Sequence, residues 1–393
     1  MREDCNRVER YFHALDIMPV MKKEPIFFLF NSPLASGCDY VVQTMRIVSA
    51  THPAYGVSLG DIIFFPRLLF SNDRWVVRTV GTSVVVRPVS LLPGVRFRLI
   101  RMLTYMITVL GMRVYIALRY RDTRKILWFF EPFHIPALLW VLSGYIKIYD
   151  CVDYYPAFNT RAKSEHTRLL QTASYVFANS YPLAKAIRTV RNDVIHVPVG
   201  FADTLFGHSR VLPIPPGKKL FTVGHIGSIS SRINFRLVTD MVKKMPDVRF
   251  LFVGPIEPDV FGSADSASDA FHVLLRYPNV RWISSVSKHS IPSTLAKMDV
   301  GIVPYRINHD FNRYSFPMKV MEYFAAGKPV VSTDIVSLRQ FDKAGILTIT
   351  SEFTQAIAHI RNTGWGKKKQ KQQWETATRH SWKNKISAIM RSV

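Results

Sequence analysis

Short unbroken apolar runs alternate with helix-spaced amphipathic stretches along most of this chain. Residues 25–30 (Pro-Ile-Phe-Phe-Leu-Phe) read as a buried strand, followed by a polar loop at 31–37 and a helix from about Asp39. The pattern recurs at 125–130, with a loop at 131–134 and a helix to about Ser143, and strands follow at 145–149 and 176–180. Beyond residue 200 the alternation is cleaner. Strands are predicted at 220–226, 248–253, 280–283, 300–303 and 329–332, with helices at 234–244, 291–297 and 317–326 between them. Such alternation predicts parallel sheets covered on both faces. The stretch 200–219, with Pro213, Pro215, Pro216 and Gly217, interrupts it. The chain therefore divides into a domain at 1–203, a linker at 204–218, a second domain at 219–372 and a last helix at 373–393. Two Rossmann-like domains facing a central cleft would hold ligands at the carboxyl ends of their strands.

Composition narrows the partners. Lys+Arg is 52 and Asp+Glu is 28, so 52 − 28 = +24, in a chain with 48% hydrophobic residues. This excess predicts an anionic partner: a phosphorylated ligand, an anionic lipid surface or nucleic acid. No helix-turn-helix, RRM or zinc signature supports nucleic acid. Cys5, Cys38 and Cys151 form no CxxC and fit a reducing cytoplasm. Residues 1–21 are charged throughout and do not read as a signal peptide. No uncharged apolar run reaches the ~20 residues of a membrane span. The run 102–112 stops at Arg113, and 126–146 contains Glu131, His134 and two prolines. Residues 96–125 join an apolar body to Arg96, Arg98, Arg101, Arg113, Arg119, Arg121, Arg124 and Lys125. That predicts a helix lying on an anionic membrane surface. The competing reading is a helix packed on its sheet with arginine stems turned outward.

Candidate chemistry concentrates after residue 219. The strand at 220–226 runs into Gly227, Ser228 and Arg232, where small residues let backbone amides approach an anion. Taken alone, this is also an ordinary strand–helix turn. In 314–331, Ser315 reads as a helix cap, Pro317 as a first-turn residue and Gly327 as the helix end. Lys319 then falls in the first turn, where the helix dipole disfavours a cation, a conflict that a bound phosphate removes. Glu322 follows three residues on, where a carboxylate accepts hydrogen bonds from both hydroxyls of a ribose. By themselves, Lys319 and Glu322 read more simply as a surface pair.

Gly224 with Gly227, residues 253–255 (Val-Gly-Pro), 278–280 (Pro-Asn-Val), 299–305 and 317–331 occur in one order. That order and spacing resemble the donor domain of GT-B glycosyltransferases, in particular the GT4-like group of bacterial surface-polysaccharide biosynthesis. The resemblance covers residues 140–390 well and 1–140 only in general pattern. It implies an α/β GT-B fold whose last helix, here 373–393, packs back across both domains. It also implies metal-independent transfer from a nucleotide-diphosphate sugar to a glycan or polyprenyl-linked acceptor, with no further cofactor. The enzyme would be cytoplasmic and peripheral on the inner face of the membrane. By the resemblance, Glu322 matches the ribose-binding second acid of an E-x7-E motif. Lys319 and Arg232 match basic residues at the diphosphate, and Gly227 and Ser228 the loop beneath it. Ser315, Pro317 and Met318 complete the residues expected to bind the nucleotide sugar. The first acid of the motif falls at Tyr314, a departure that leaves the stereochemistry open, and Ser284 stands where many members have glycine.

Inverting transfer needs one base to take the acceptor proton. Asp153, just past the strand at 145–149, resembles in position the aspartate base of inverting GT-B glucuronosyltransferases. A loop or capping acid is the equal alternative. Asp150 reads as a cap or loop-ordering group, and Glu131 and His134 are second candidates for the base. No D-x-D motif offers a metal site, and Arg232 and Lys319 suit a diphosphate neutralised by side chains. An epimerase or hydrolase on the same fold, a nucleic-acid binder and a non-catalytic partner protein remain the alternative readings.

Overall fold

The computed structural model describes residues 24–30, 39–70, 76–94, 96–133, 139, 141–207, 213–257 and 267–393. The loop expected at 31–37, most of the helix expected at 135–143, and His134, Cys5 and Cys38 lie outside them; 141–144 form turns. The chain separates into two units. One takes in residues 1–178, 186–196 and 386–393, the other 179–185 and 197–385.

In the first unit eight strands form one sheet. They are β1 (Ile26–Phe30), β2 (Ala54–Ser58), β3 (Val77–Val80), β4 (Ser83–Val86), β5 (Ile126–Phe129), β6 (Ile146–Cys151), β7 (Tyr175–Ala178) and β8 (Ile195–His196), in the order β8-β7-β6-β5-β1-β2-β4-β3. All neighbours pair in parallel except β3 with β4. β1 is buried at every position, as an unbroken apolar run in a doubly covered sheet requires. The strand order reverses between β1 and β5, so the carboxyl end of β5 is this unit's switch point.

The stretch singled out for its arginines forms the helix α2 (Arg98–Arg119), which follows α1 (Asp39–Ser49) in helix numbering. Among the described residues it is one helix long and apolar enough to cross a membrane by length and composition. One face of it packs inward through Tyr105, Val109, Met112 and Ile116. The opposite face exposes Leu99, Leu103, Ile107, Leu110, Val114 and Leu118, with Leu99 69% and Ile107 71% accessible. Their spacing of four, four, three, four and four residues draws a single stripe along the helix. The sequence offered a packed helix or a surface helix as alternatives, and α2 has the geometry of both. Arg113 is a correction: its guanidinium donates to the Val141 carbonyl instead of turning outward. Arg96, Arg98, Arg121 and Arg124 are exposed beyond or at the two ends of the stripe.

In the second unit six strands form a parallel sheet. They are β9 (Thr222–Ile226), β10 (Arg249–Val253), β11 (Val280–Ile283), β12 (Val300–Val303), β13 (Val330–Ser332) and β14 (Thr348–Ile349), in the order β11-β10-β9-β12-β13-β14. The reversal falls between β9 and β12, and β9 is followed by the helix α4 (Phe235–Lys244). The core is apolar, and the close approach of elements depends on glycine. A Cβ on Gly224 would lie 2.0 Å from Met298 Sδ, and one on Gly301 would lie 2.7 Å from the Tyr323 ring. Asp299, from the quoted motif, is structural: Oδ1 meets Lys218 Nζ at 2.6 Å and Oδ2 accepts the Thr222 amide at 2.9 Å.

Candidate functional site

The loops after β9 and β10 are zipped to each other. The Gly227 amide donates to Val253 O, Ile229 N to Pro255 O and Glu257 N to Ile229 O, at 2.8, 2.8 and 2.9 Å. Gly227 has φ +112° and Gly254 φ +143°, values that L side chains rarely adopt. A Cβ on Gly254 would meet Gly227 O at 2.2 Å, and one on Gly227 would meet Lys319 Nζ at 2.8 Å. Lys319 thus lies directly against the glycine turn, as the sequence motifs suggest. The Ser228 hydroxyl is turned to the Glu257 carboxylate.

Arg232 is held from several sides. Its Nε donates to Asn312 Oδ1 at 2.7 Å, and Asn312 Nδ2 donates back to Arg232 O at 3.0 Å. Asn312 is wholly buried, so this lock is shielded from water. The guanidinium lies 4.7 Å from the Tyr305 ring centroid and 4.4 Å from that of Phe311. Its Nη2 reaches Ser315 Oγ at 3.4 Å. Lys319 Nζ lies 5.1 Å from the same Tyr305 ring. One aromatic ring therefore gathers both cations. Among the described residues neither cation pairs with a carboxylate. The Tyr305 hydroxyl reports the resulting field: burial works to raise its pKa, yet Lys319 and Arg232 bring it below its ordinary value.

Ser315 does not cap the next helix. It follows α5 (Asp310–Tyr314), and its hydroxyl donates to Asn312 O. Pro317 and Met318 form the turn that leads into α6 (Lys319–Ala325), with Val320 N bonded to Pro317 O at 3.0 Å. The helix starts two residues later than the predicted 317, and Lys319 is its first residue. Gly327, φ +63°, ends it as expected. Glu322 is half-buried on α6, one turn on from Lys319. Between them, these elements bring together Gly227, Arg232, Ser315 and Lys319 in one unit, with Ser228 next to Gly227 and Glu322 on the same helix as Lys319. Tyr314 occupies the position of the absent acid, and its carbonyl accepts from the Ser180 hydroxyl. Sequence reading passed over His225 and Asn312, both wholly buried and both touching a cation of the site. Tyr305 stood inside a quoted motif without a role.

In the first unit, Asp153 lies two residues beyond β6 and is half-buried, its carbonyl accepting from Tyr155 N and Cys151 Sγ. Glu131 lies two residues beyond β5, at the switch point, and accepts from the Tyr40 hydroxyl on α1. Tyr155 OH donates to Phe130 O at 2.9 Å and ties the two loops. Burial, then Glu131 and Asp153 together with neighbouring hydroxyls, push the Tyr155 phenol well up. Both carboxylates act on this one group, so the structure gathers them at the same end of the sheet. His134 lies outside the described residues. Of the two readings of Asp150, the cap is corrected: Asp150 is buried in β6, and the following helix α3 (Thr160–Thr172) is capped by Asn159, whose side chain accepts the Ala162 amide at 2.8 Å.

Comparisons with known proteins fit this geometry. Residues 220–362 match the family described as glycosyl transferases group 1. A Bacillus subtilis protein, TuaH, whose name places it as a glycosyltransferase in teichuronic acid biosynthesis, is 30% identical over 239 residues, 56% of this chain. The chain matches 58% of that relative's length. Among solved structures, HepE of Anabaena in complex with UDP and glucose superposes with a TM-score of 0.66 at 16% identity, covering 94% of this chain and 99% of that one. Sucrose-phosphate synthase from Thermosynechococcus elongatus gives 0.69 at 13% identity, covering 94% and 98%.

Proposed function

We propose, from the match of residues 220–362 to the group 1 glycosyltransferases and from the GT-B fold, that the chain transfers a sugar from a nucleotide-diphosphate sugar to a glycan acceptor in surface-polysaccharide synthesis. The observation that carries the reading is the pair of cations, Lys319 and Arg232, beside the Gly227 turn. Two fixed positive groups that pair with no carboxylate among the described residues suit a leaving diphosphate, whose charge grows as the glycosidic bond breaks. They would do the neutralising work without a metal ion. Glu322 would hold the ribose, and Gly227 and Ser228 would approach the phosphates. Asp153 is the proposed base, with Glu131 behind it.

The acceptor would be carried on a polyprenyl lipid, with the protein peripheral on the inner face of the membrane. The exposed stripe of α2 supports this, since its exposed arginines stand at both ends of an apolar face. Replacing Ile107 and Leu110 by aspartate should weaken binding to anionic vesicles by at least about a hundredfold, at ~1.5 kcal/mol for each buried side chain. Unchanged sedimentation with those vesicles would refute the surface role. An epimerase or hydrolase would use the same donor groups but has no need of such a face.

The functional test is a thermal-shift screen of UDP, GDP, CDP, ADP and dTDP, with magnesium and with EDTA. UDP leads because HepE was solved with it. One diphosphate should stabilise the protein equally in both buffers. Glu322→Ala should weaken that binding by roughly tenfold, the worth of one or two ribose hydrogen bonds. Absence of any shift would remove the donor assignment.

A further inference from the structure

His225 lies in β9, two residues before Gly227, and none of its side chain reaches solvent. Its Nδ1 is 3.2 Å from Ile302 O, and its Nε2 is 3.1 Å from Lys319 Nζ. A carbonyl oxygen only accepts, so Nδ1 carries the proton of that bond. In the neutral ring Nε2 is then a lone pair, and the lysine ammonium donates to it. Phe252 and Tyr305 flank the ring, at 6.1 and 6.4 Å between centroids.

We propose that His225 is a positioning residue for the donor diphosphate: its neutral ring fixes the Lys319 ammonium against the Gly227 turn without cancelling its charge. This rests on the donor reading above and adds to it the device that aims the lysine. The logic is electrostatic. A carboxylate in place of His225 would also orient the ammonium, but it would neutralise the charge that the phosphate needs. A neutral acceptor orients through one hydrogen bond and leaves the full positive charge free to act on the ligand. Lys319 is flexible by nature, with about 2 kcal/mol of rotamer entropy to lose, so a preset position raises its worth to the ligand. Other groups face the ring. Burial, Lys319 and Arg232 all hold it neutral, while the backbone at Ile302 and Ser228 works the other way. Burial is the largest of these, and the ring pKa lies well below its ordinary value.

Two measurements test this, and they fail separately from the donor assignment. The first uses the unmodified protein without ligand. Long-range nitrogen NMR of the His225 ring at neutral pH should show a protonated Nδ1 and an unprotonated Nε2. A proton on Nε2, or a charged ring, overturns the proposal whatever the protein binds. The second compares His225→Leu and His225→Gln with the parent, by calorimetry with UDP and with uridine. If another base wins the screen, its diphosphate and nucleoside replace them. The leucine variant should lose about tenfold for the diphosphate, equivalent to ~1.4 kcal/mol, and change little for the nucleoside. Glutamine, neutral and able both to donate and to accept, should recover most of the loss. Equal weakening for both ligands would mark a merely structural residue, and no weakening in a folded leucine variant would dismiss the role. Should the leucine variant not fold, glutamine and the NMR experiment still decide. Failure of the parent to bind any diphosphate would sink the donor reading, while the tautomer alone would judge the lysine-orienting contact.

Discussion

Asp153→Asn should lower turnover by about 10²–10⁴-fold while leaving nucleotide binding unchanged, the usual range for loss of a general base. Asparagine keeps the size of the side chain and the loop contacts that run through the backbone, where Asp153 O accepts from Tyr155 N. What it loses is the ability to take a proton. The check is kcat with a saturating donor beside a calorimetric dissociation constant for the product diphosphate. Nearly full turnover would remove Asp153 from the chemistry and pass the role to Glu131, the other carboxylate acting on Tyr155. Glu131 is already engaged by the Tyr40 hydroxyl.

Removing both cations is the second large effect. Arg232→Met with Lys319→Met should weaken nucleoside-diphosphate binding by about 10³-fold, since hydrogen bonds to charged groups contribute roughly 2 kcal/mol each. Methionine preserves much of the apolar stem that rests against Tyr305. The Tyr305 hydroxyl offers an internal control. Its pKa is held below the ordinary value against the effect of burial by these same two groups, so in the double variant burial should prevail and the pKa should rise. A spectroscopic titration of the phenol would follow this. A rise in pKa with intact diphosphate binding would place the ligand elsewhere, while a pKa that did not move would contradict the cationic field itself.

The strands of the second unit were legible because fully covered parallel strands leave apolar runs unbroken by polar positions. β11 and β12 coincide with the predicted 280–283 and 300–303, and β9 begins at Thr222 instead of 220. β2, β3 and β4 were not read. β2 is broken by Gly56, whose Cβ would lie 2.9 Å from Met45 Cε, so the sequence loses an apolar position where packing needs none. β3 sits at the sheet edge with Arg78 and Thr79 exposed, and such a strand carries no hydrophobic signature. In the site, Arg232, Lys319 and Glu322 were legible through the order of their motifs. His225 was not, because a single histidine inside an apolar strand has the pattern of any core residue. Its partner lies 94 positions away, and only the fold places them together. The start of α6 was misplaced for a local reason: Ser315 has the chemistry of a cap, but its hydroxyl serves the preceding α5.

The hydrogen-bonded zip between the loops after β9 and β10 bears on how proteins of this fold diversify. Gly227 and Gly254 fit against each other so closely that neither loop has a conformation of its own. A chimaera that imports residues 227–232 from a relative with another donor preference, while keeping the native 254–257, would join halves shaped for different partners. The two segments are thus a single unit of inheritance, about 25 positions apart in the chain. Recombination that cuts between them should yield inactive products, whereas exchange of the whole 222–257 block should not.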